Sequence, residues 1–283
     1  MTAHSQCGAP GGHYLNLGCG RRFSQNPEWT NIDLRSSHDR VMAHDLATGI
    51  PFPDGTYDAV YHSNMLEHLD RAAAERLLRE CCRVLKPGGL CRVGVPDMED
   101  IDRVYLAELE KRAAGGSANR HEWMVIEMID QMARHEPGGA MAEYIRGHGQ
   151  ADVEFAVERA GNVARQVGAR VETPQEPQPL SLRARLGKAL RRWLLSDREL
   201  RAMQVGLYRT GGEPHLWMYD RCTLGALLKS CGFIDLSVRE FNQSAIAGWA
   251  SHALDADPDG REHAPDTLYM EARKPGSASG SAG

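Results

Sequence analysis

Apolar residues along the first hundred positions follow two rhythms. Short apolar runs at 14–17, 31–34, 41–43, 57–63 and 90–95 read as strands. Between the last two, Leu69, Ala73, Leu77, Leu78, Cys81 and Leu85 recur at three- and four-residue spacing. That spacing predicts a helix over 69–84, stopped by Lys86-Pro87-Gly88-Gly89. Strands alternating with helices predict an α/β domain, a parallel sheet with helices on both faces. In such sheets a ligand sits at the C-terminal strand ends, where the strand order switches.

The rhythm breaks after residue 98. Met98–Ala114, Arg120–His135 and Asp152–Val167 have helical spacing, and no strand signal interrupts them. Thr173–Pro179 holds three prolines and reads as an extended connector, and Ser181–Leu195 is a basic amphipathic stretch. It reads as a lid or interface helix rather than a membrane-surface one. The earlier rhythm then resumes: Tyr219–Gly232 is helical, and Phe233–Phe241 and Thr267–Lys274 alternate as strands. The organisation expected is a core of 1–98 and 215–275, a helical insertion over 99–214 and a flexible tail over 276–283.

Composition narrows the function classes. The 283 residues include 33 Lys plus Arg against 38 Asp plus Glu, a net charge of −5 that argues against nucleic acid as a partner. No apolar run is long enough to span a membrane and no secretory signal is evident, so a cytoplasmic protein is expected. A homo-oligomer is compatible with these features. The 7 cysteines show no C-x-x-C pair and read as reduced thiols, and His121, His135 and His148 match no zinc spacing, so no metal is expected.

The chemistry concentrates at Leu15-Asn16-Leu17-Gly18-Cys19-Gly20, a strand running into a glycine turn. Glycine permits positive φ and close approach of backbone to a ligand. A nicotinamide-binding turn needs G-x-G-x-x-G, but Phe23 stands where the third glycine belongs. Neither Tyr105 nor Tyr144 is followed by lysine four positions on, as a sugar oxidoreductase or epimerase would require.

With Asp33 after the second strand, Asp45 after the third and Ser63-Asn64 after the fourth, the chain resembles the class I S-adenosylmethionine-dependent methyltransferases. Phe52–Val60 looks like that superfamily's approach to strand four, and Arg83–Gly89 like its helix end before strand five. The resemblance implies a Rossmann-like, seven-stranded, mostly parallel sheet with a large helical insertion after strand five. It implies S-adenosyl-L-methionine held by Asn16, Gly18, Cys19, Gly20, Asp33, Asp45, Leu46, Ser63 and Asn64. Asp33 would take the ribose hydroxyls, and Asp45 lies where the adenine amino group is reached. Two departures stand out: Asn16 occupies a position often acidic, and Arg22 a position often glycine. Only fifteen positions separate Gly18 from Asp33, with Pro27 between, so the first helix is expected to be very short or replaced by a loop.

A narrower resemblance rests on Glu122-Trp123-Met124, Glu127, Asp130-Gln131, Gly138-Gly139, Trp217–Arg221 and Asp266–Ala272. It is to bacterial predicted methyltransferases associated with polysaccharide or secondary-metabolite gene clusters. The implied reaction is methyl transfer to an oxygen or nitrogen of a small polar acceptor. Glu127, Asp130, Gln131 and Arg134 share a helix face and are candidate acceptor contacts, against the alternative of a solvated face with an Asp130–Arg134 pair. Trp217 and Tyr219 are further candidates, and His215 is the candidate general base, its unperturbed pKa lying near neutrality. Packing is the competing role for all three. A non-catalytic cofactor-binding partner and a nicotinamide-dependent oxidoreductase are the alternative functions.

Overall fold

The computed structural model describes residues 12–162, 164–165, 193–257 and 259–276. The connector 173–179, most of the basic stretch 181–195 and the tail from 277 lie outside them. The chain divides into two units: one holds 1–97, 218–263 and 267–283, the other 98–217 and 264–266. His215 and Trp217, expected at the edge of the core, therefore fall in the second unit, and Tyr219 in the first.

The first unit is built on a seven-stranded sheet: β1 (Tyr14–Leu17), β2 (Trp29–Asp33), β3 (Val41–Ala43), β4 (Tyr57–Ser63), β5 (Leu85–Pro96), β6 (Ile234–Arg239) and β7 (Thr267–Arg273). Their order is β3-β2-β1-β4-β5-β7-β6. β7 is antiparallel to both neighbours and the other pairs are parallel. The strand order reverses beside β1, which places the expected ligand crevice at the C-terminal ends of β1 and β4. Helices of this unit are α1 (Arg71–Val84), α7 (Arg221–Ser230) and the single turn α8 (Trp249–His252). The second unit holds α2 (Met98–Ala113), α3 (Ala118–Ala133), α4 (Gly139–Gly147), α5 (Gln150–Ala160) and α6 (Asp197–Arg209).

Alternation along the strands sorts side chains onto two unlike faces. Leu15, Leu17, Val60, Cys91, Val93, Leu268 and Met270 point to one face, where Leu77, Leu78 and Cys81 of α1 and Leu224 and Leu228 of α7 complete an apolar core. Asp70 caps α1 by accepting from Ala73 N at 2.7 Å, and Asp220 caps α7 through a reciprocal bond with Thr223.

The other face departs from the expected helical layer. Tyr14, Trp29, Ala59, Tyr61 and Leu90 pack beneath Ile246, Trp249 and Leu254 of the β6–β7 connection. No helix joins β1 to β2, as the short Gly18–Asp33 interval implies, and none joins β2 to β3. Irregular chain brings backbone carbonyls that need donors. Arg92, fully buried, supplies them: it donates to the carbonyls of Glu240, Phe241 and Gln243 at 2.8–3.1 Å. Its charge is matched by Asp255 at 3.0 Å and Glu271 at 3.2 Å, and its guanidinium lies 4.5 Å from the Trp249 ring centre. Tyr61 donates to Asp255 at 2.5 Å, completing a network between the sheet and its cover.

One boundary differs from the sequence reading. Lys86-Pro87-Gly88-Gly89 does not lie between helix and strand, because β5 starts at Leu85, paired with Tyr57. The residue before a proline avoids the helical region, so the chain is already extended at Leu85–Lys86. Gly88, at φ +77°, then takes up the register shift within the strand.

Candidate cofactor and transfer site

Around the C-terminal ends of β1, β2 and β4 the chain turns tightly. Gly18 and Gly20 have φ of +60° and +54°, so both positions require glycine for the reason read from the sequence. A Cβ on Gly18 would lie 2.7 Å from Met65 Cγ, so the turn is pressed against the segment following β4. A Cβ on Gly20 would meet nothing within 4 Å; that side of the turn is an open cradle.

The loop replacing the first helix is held by side chains. Asn16 donates to the Arg22 carbonyl at 3.1 Å and to Asn31 Oδ1 at 3.2 Å. Asn31 in turn donates to the Ser24 carbonyl at 2.9 Å and accepts from Ser24 N at 3.1 Å. Asn16 is thus buried and engaged with the loop, a bracing role not seen in the sequence, where it was expected to touch the cofactor.

Asp33 ends β2 and accepts from Gly20 N at 2.8 Å and Arg35 N at 3.3 Å. The carboxylate is therefore positioned by the turn and keeps acceptor capacity on a partly exposed side chain. Cys19 is buried, and its thiol is pushed up to about 12 by that burial and by the nearby Asp33 charge. It stays protonated at neutral pH and offers backbone rather than a nucleophile. Asp45 caps the turn Leu46–Thr48, accepting from Ala47 N at 2.9 Å, and Leu46 packs on the apolar core. The capping alternative is therefore realised at Asp45, whose exposed side chain retains a second oxygen.

At the end of β4, Ser63 is buried and a Cβ on Gly94 would strike its Oγ at 2.5 Å. Asn64 takes φ +50°, while its N–H bonds to the Gly94 carbonyl at 3.0 Å. Positive φ in a non-glycine residue is a conformation that surrounding structure must enforce, and such residues gather at binding sites. Glu67, in the turn Leu66–His68, is fully buried. Its charge reaches Tyr219, whose hydroxyl burial and Glu67 together push up to about 12. Sequence reasoning passed over Glu67; the signal was an acid directly after an apolar strand and turn, next to His68. Tyr219 pairs in parallel with Asp97 beyond β5, but its ring belongs to the apolar core. It is 3% exposed, the packing alternative for this residue.

Within the second unit the predicted acceptor face is largely committed to partners of its own. Glu127 accepts from Trp123 Nε1 at 2.8 Å and pairs with Arg159 at 2.7 Å, and Arg159 also holds Asp100 at 2.8 Å. Asp130 pairs with Arg134 and accepts from Ala140 N at 2.7 Å at the start of α4. A Cβ on Gly139 would collide with that carboxylate at 2.4 Å. Glu127, Asp130 and Arg134 thus tie α3 to α4 and α5. A buried carboxylate needs such partners, and the chain provides them locally. The Gln131 carbonyl accepts from His215 N at 3.0 Å, and His215 is buried. Trp217 is 37% exposed.

Among the described residues no helix is long and apolar enough to cross a membrane. Residues 15–93 match a family model described as a methyltransferase domain. A Mycolicibacterium smegmatis protein named a probable S-adenosylmethionine-dependent methyltransferase is 29% identical over 143 residues, 47% of this chain and 53% of that protein. The chain thus spans about half the length of the curated relative it matches. Among solved structures, a Thermotoga maritima S-adenosylmethionine-dependent methyltransferase, titled a possible histamine N-methyltransferase, is 13% identical. It aligns over 95% of this chain and 84% of its own, with a TM-score of 0.39. The Burkholderia thailandensis 1,6-didemethyltoxoflavin-N1-methyltransferase, solved with S-adenosylhomocysteine, is 11% identical over 93% of this chain and 70% of its own, at a TM-score of 0.36. Likenesses so slight assign no acceptor. The matched segment spans β1 to β5, with the glycine turn and the Asp33 carboxylate at its strand ends, so residues 15–93 of the first unit are similar to a methyltransferase domain.

Proposed function

We propose that this chain transfers a methyl group from S-adenosyl-L-methionine to an oxygen or nitrogen of a small polar acceptor. The observation that carries the reading is the Gly18–Gly20 turn locked to Asp33, with the open side of Gly20 beside it. The residues fit the cofactor. The turn lets backbone approach closely, the Asp33 carboxylate accepts from a ribose diol, and Leu46 offers an apolar surface to an adenine. The second Asp45 oxygen serves the adenine amino group, and Ser63 and Asn64 border the reacting end. The bound cofactor supplies a methyl group on a sulfonium, already a good electrophile.

The chain's own work is then alignment, exclusion of water and removal of one proton. His215 is the proposed base, taking the proton that the acceptor oxygen or nitrogen loses. Gln131 and Trp217 are the proposed acceptor contacts. A glycan-like or natural-product intermediate is the acceptor class supported by the family resemblance.

Calorimetric titration with S-adenosylmethionine and with S-adenosylhomocysteine is the test. Micromolar binding, weakened 10- to 100-fold in Asp33→Ala by loss of charged hydrogen bonds of about 1.5–3 kcal/mol, is expected. Binding of NAD with no affinity for either methyl-cycle ligand would overturn the reading.

A further inference from the structure

On the helical side of the sheet, away from the glycine turn, three metal-ligating side chains meet. His62 comes from β4, Cys91 from β5 and Cys81 from α1, and all three are fully buried. In register Val60 faces Cys91 and His62 faces Val93, so His62 and Cys91 are diagonal neighbours on one face, under the α1 stripe that includes Cys81. One ligand atom from each lies within 4.8 Å of the others. A trigonal site with bonds of about 2–2.3 Å sets its ligand atoms roughly 4 Å apart, so closing it takes movements under about 1 Å.

The surroundings make the imidazole hard to explain as packing alone. Among the described residues neither His62 ring nitrogen has an oxygen or nitrogen hydrogen-bond partner. The core around it is Val60, Leu78, Val93 and their neighbours. Burying an imidazole in apolar surroundings with only a thiol beside it is costly. The nearby polar groups are the two thiols, which are soft donors.

We propose that His62, Cys81 and Cys91 form a buried site for a soft d10 metal ion, separate from the methyl-transfer site. The set is two thiolates and one neutral imidazole, donors that select zinc or monovalent copper over harder cations. Charge balance favours a divalent ion, because two thiolates neutralise it in an apolar core. The count of three ligands favours copper, because closed zinc sites take four. Linear spacing gave no sign of the site, since its ligands come from three separate elements.

The test is the full-length protein produced in medium supplemented with Zn²⁺ or with copper, purified under reducing conditions and analysed for bound metal. About one equivalent of one metal is expected, reduced at least 5-fold in Cys81→Ser and Cys91→Ser and unchanged in the exposed-thiol control Cys222→Ser. Protein loaded with Co²⁺ should show thiolate-to-cobalt absorption in the near ultraviolet, a readout that needs no folded variant. Zinc retention would identify the divalent ion, and copper retention the trigonal one. Substoichiometric metal in both media with no cobalt–thiolate band, or equal retention in Cys81→Ser and Cys91→Ser, would overturn the proposal.

Discussion

Gly18 and Gly20 look equivalent in the sequence but differ in what surrounds them. Both have positive φ, so alanine at either carries a backbone penalty of about 1–2 kcal/mol. At Gly18 the new methyl must also displace Met65, whereas at Gly20 it enters open space. Gly18→Ala is therefore expected to lower the urea midpoint more than Gly20→Ala. Gly20→Ala should instead act chiefly on cofactor affinity, by filling the cradle. Equal midpoints for the two variants would contradict the packing described. Cys19 presents the opposite case: its side chain carries no chemistry, so Cys19→Ala should keep cofactor affinity within about 2-fold. Iodoacetamide at neutral pH should label the exposed Cys222 well before Cys19, a ratio that peptide mass mapping reads directly.

At the scale of elements, α1 was legible because its apolar positions repeat at helical spacing. The Lys86–Gly89 turn was misplaced because Pro87 ends a helix and kinks a strand equally well. Only the pairing of Leu85 with Tyr57 decides between them. The partners of the α3 polar face were not legible for a related reason: Arg159, which neutralises Glu127, lies 32 residues away in the chain. The glycine turn and its neighbour Asp33 were legible because β1, the turn and Asp33 are close in sequence. The bracing by Asn16 and Asn31 was not, since it depends on the first helix being absent. Near the end of α1, Glu80 binds Arg83 at 2.7 Å and accepts from Ile50 N at 3.0 Å, riveting the 50–54 loop to the helix. The Arg83 guanidinium, and then the Ile50 amide, hold the Glu80 carboxyl below the usual glutamate range. A depressed folded-state pKa means stabilisation present above the unfolded value and lost as pH falls through the folded one. The difference in melting temperature between wild type and Glu80→Gln should therefore be constant near neutrality and shrink below about pH 4.3. A gap that widens in acid would refute the assignment. The pair is partly exposed, so the effect is small.

The first unit as a whole is held by a contact that joins its two ends. Arg92 on β5 is buried with Asp255 and Glu271, which arrive from the far end of the chain. Removing one member of a buried ion set leaves the others uncompensated, at about 3–5 kcal/mol. Arg92→Met should lose stability on that scale in chemical denaturation, and adding Asp255→Asn should recover part of it. If Arg92→Met unfolds at the wild-type midpoint, the network is not what fastens the 240–266 cover. The same dependence predicts that residues 1–97 alone lack a cooperative unfolding transition by near-ultraviolet circular dichroism. That fragment holds all of the matched family segment, yet neither β7 nor the cover over Tyr14, Trp29 and Tyr61.

Leu90 pairs with Arg273, so the middle of the sheet closes across most of the molecule's length. Contacts this distant in sequence carry a large loop-closure entropy and form late. A ribosome adding about 5–20 residues each second needs roughly ten to forty seconds to travel from β5 to β7. Throughout that interval the nascent sheet presents an open edge and an uncovered aromatic face, the kind of surface that chaperones hold and neighbouring chains pair with. The yield of this protein in a cell should accordingly depend on what guards the growing chain as well as on the stability of the finished one.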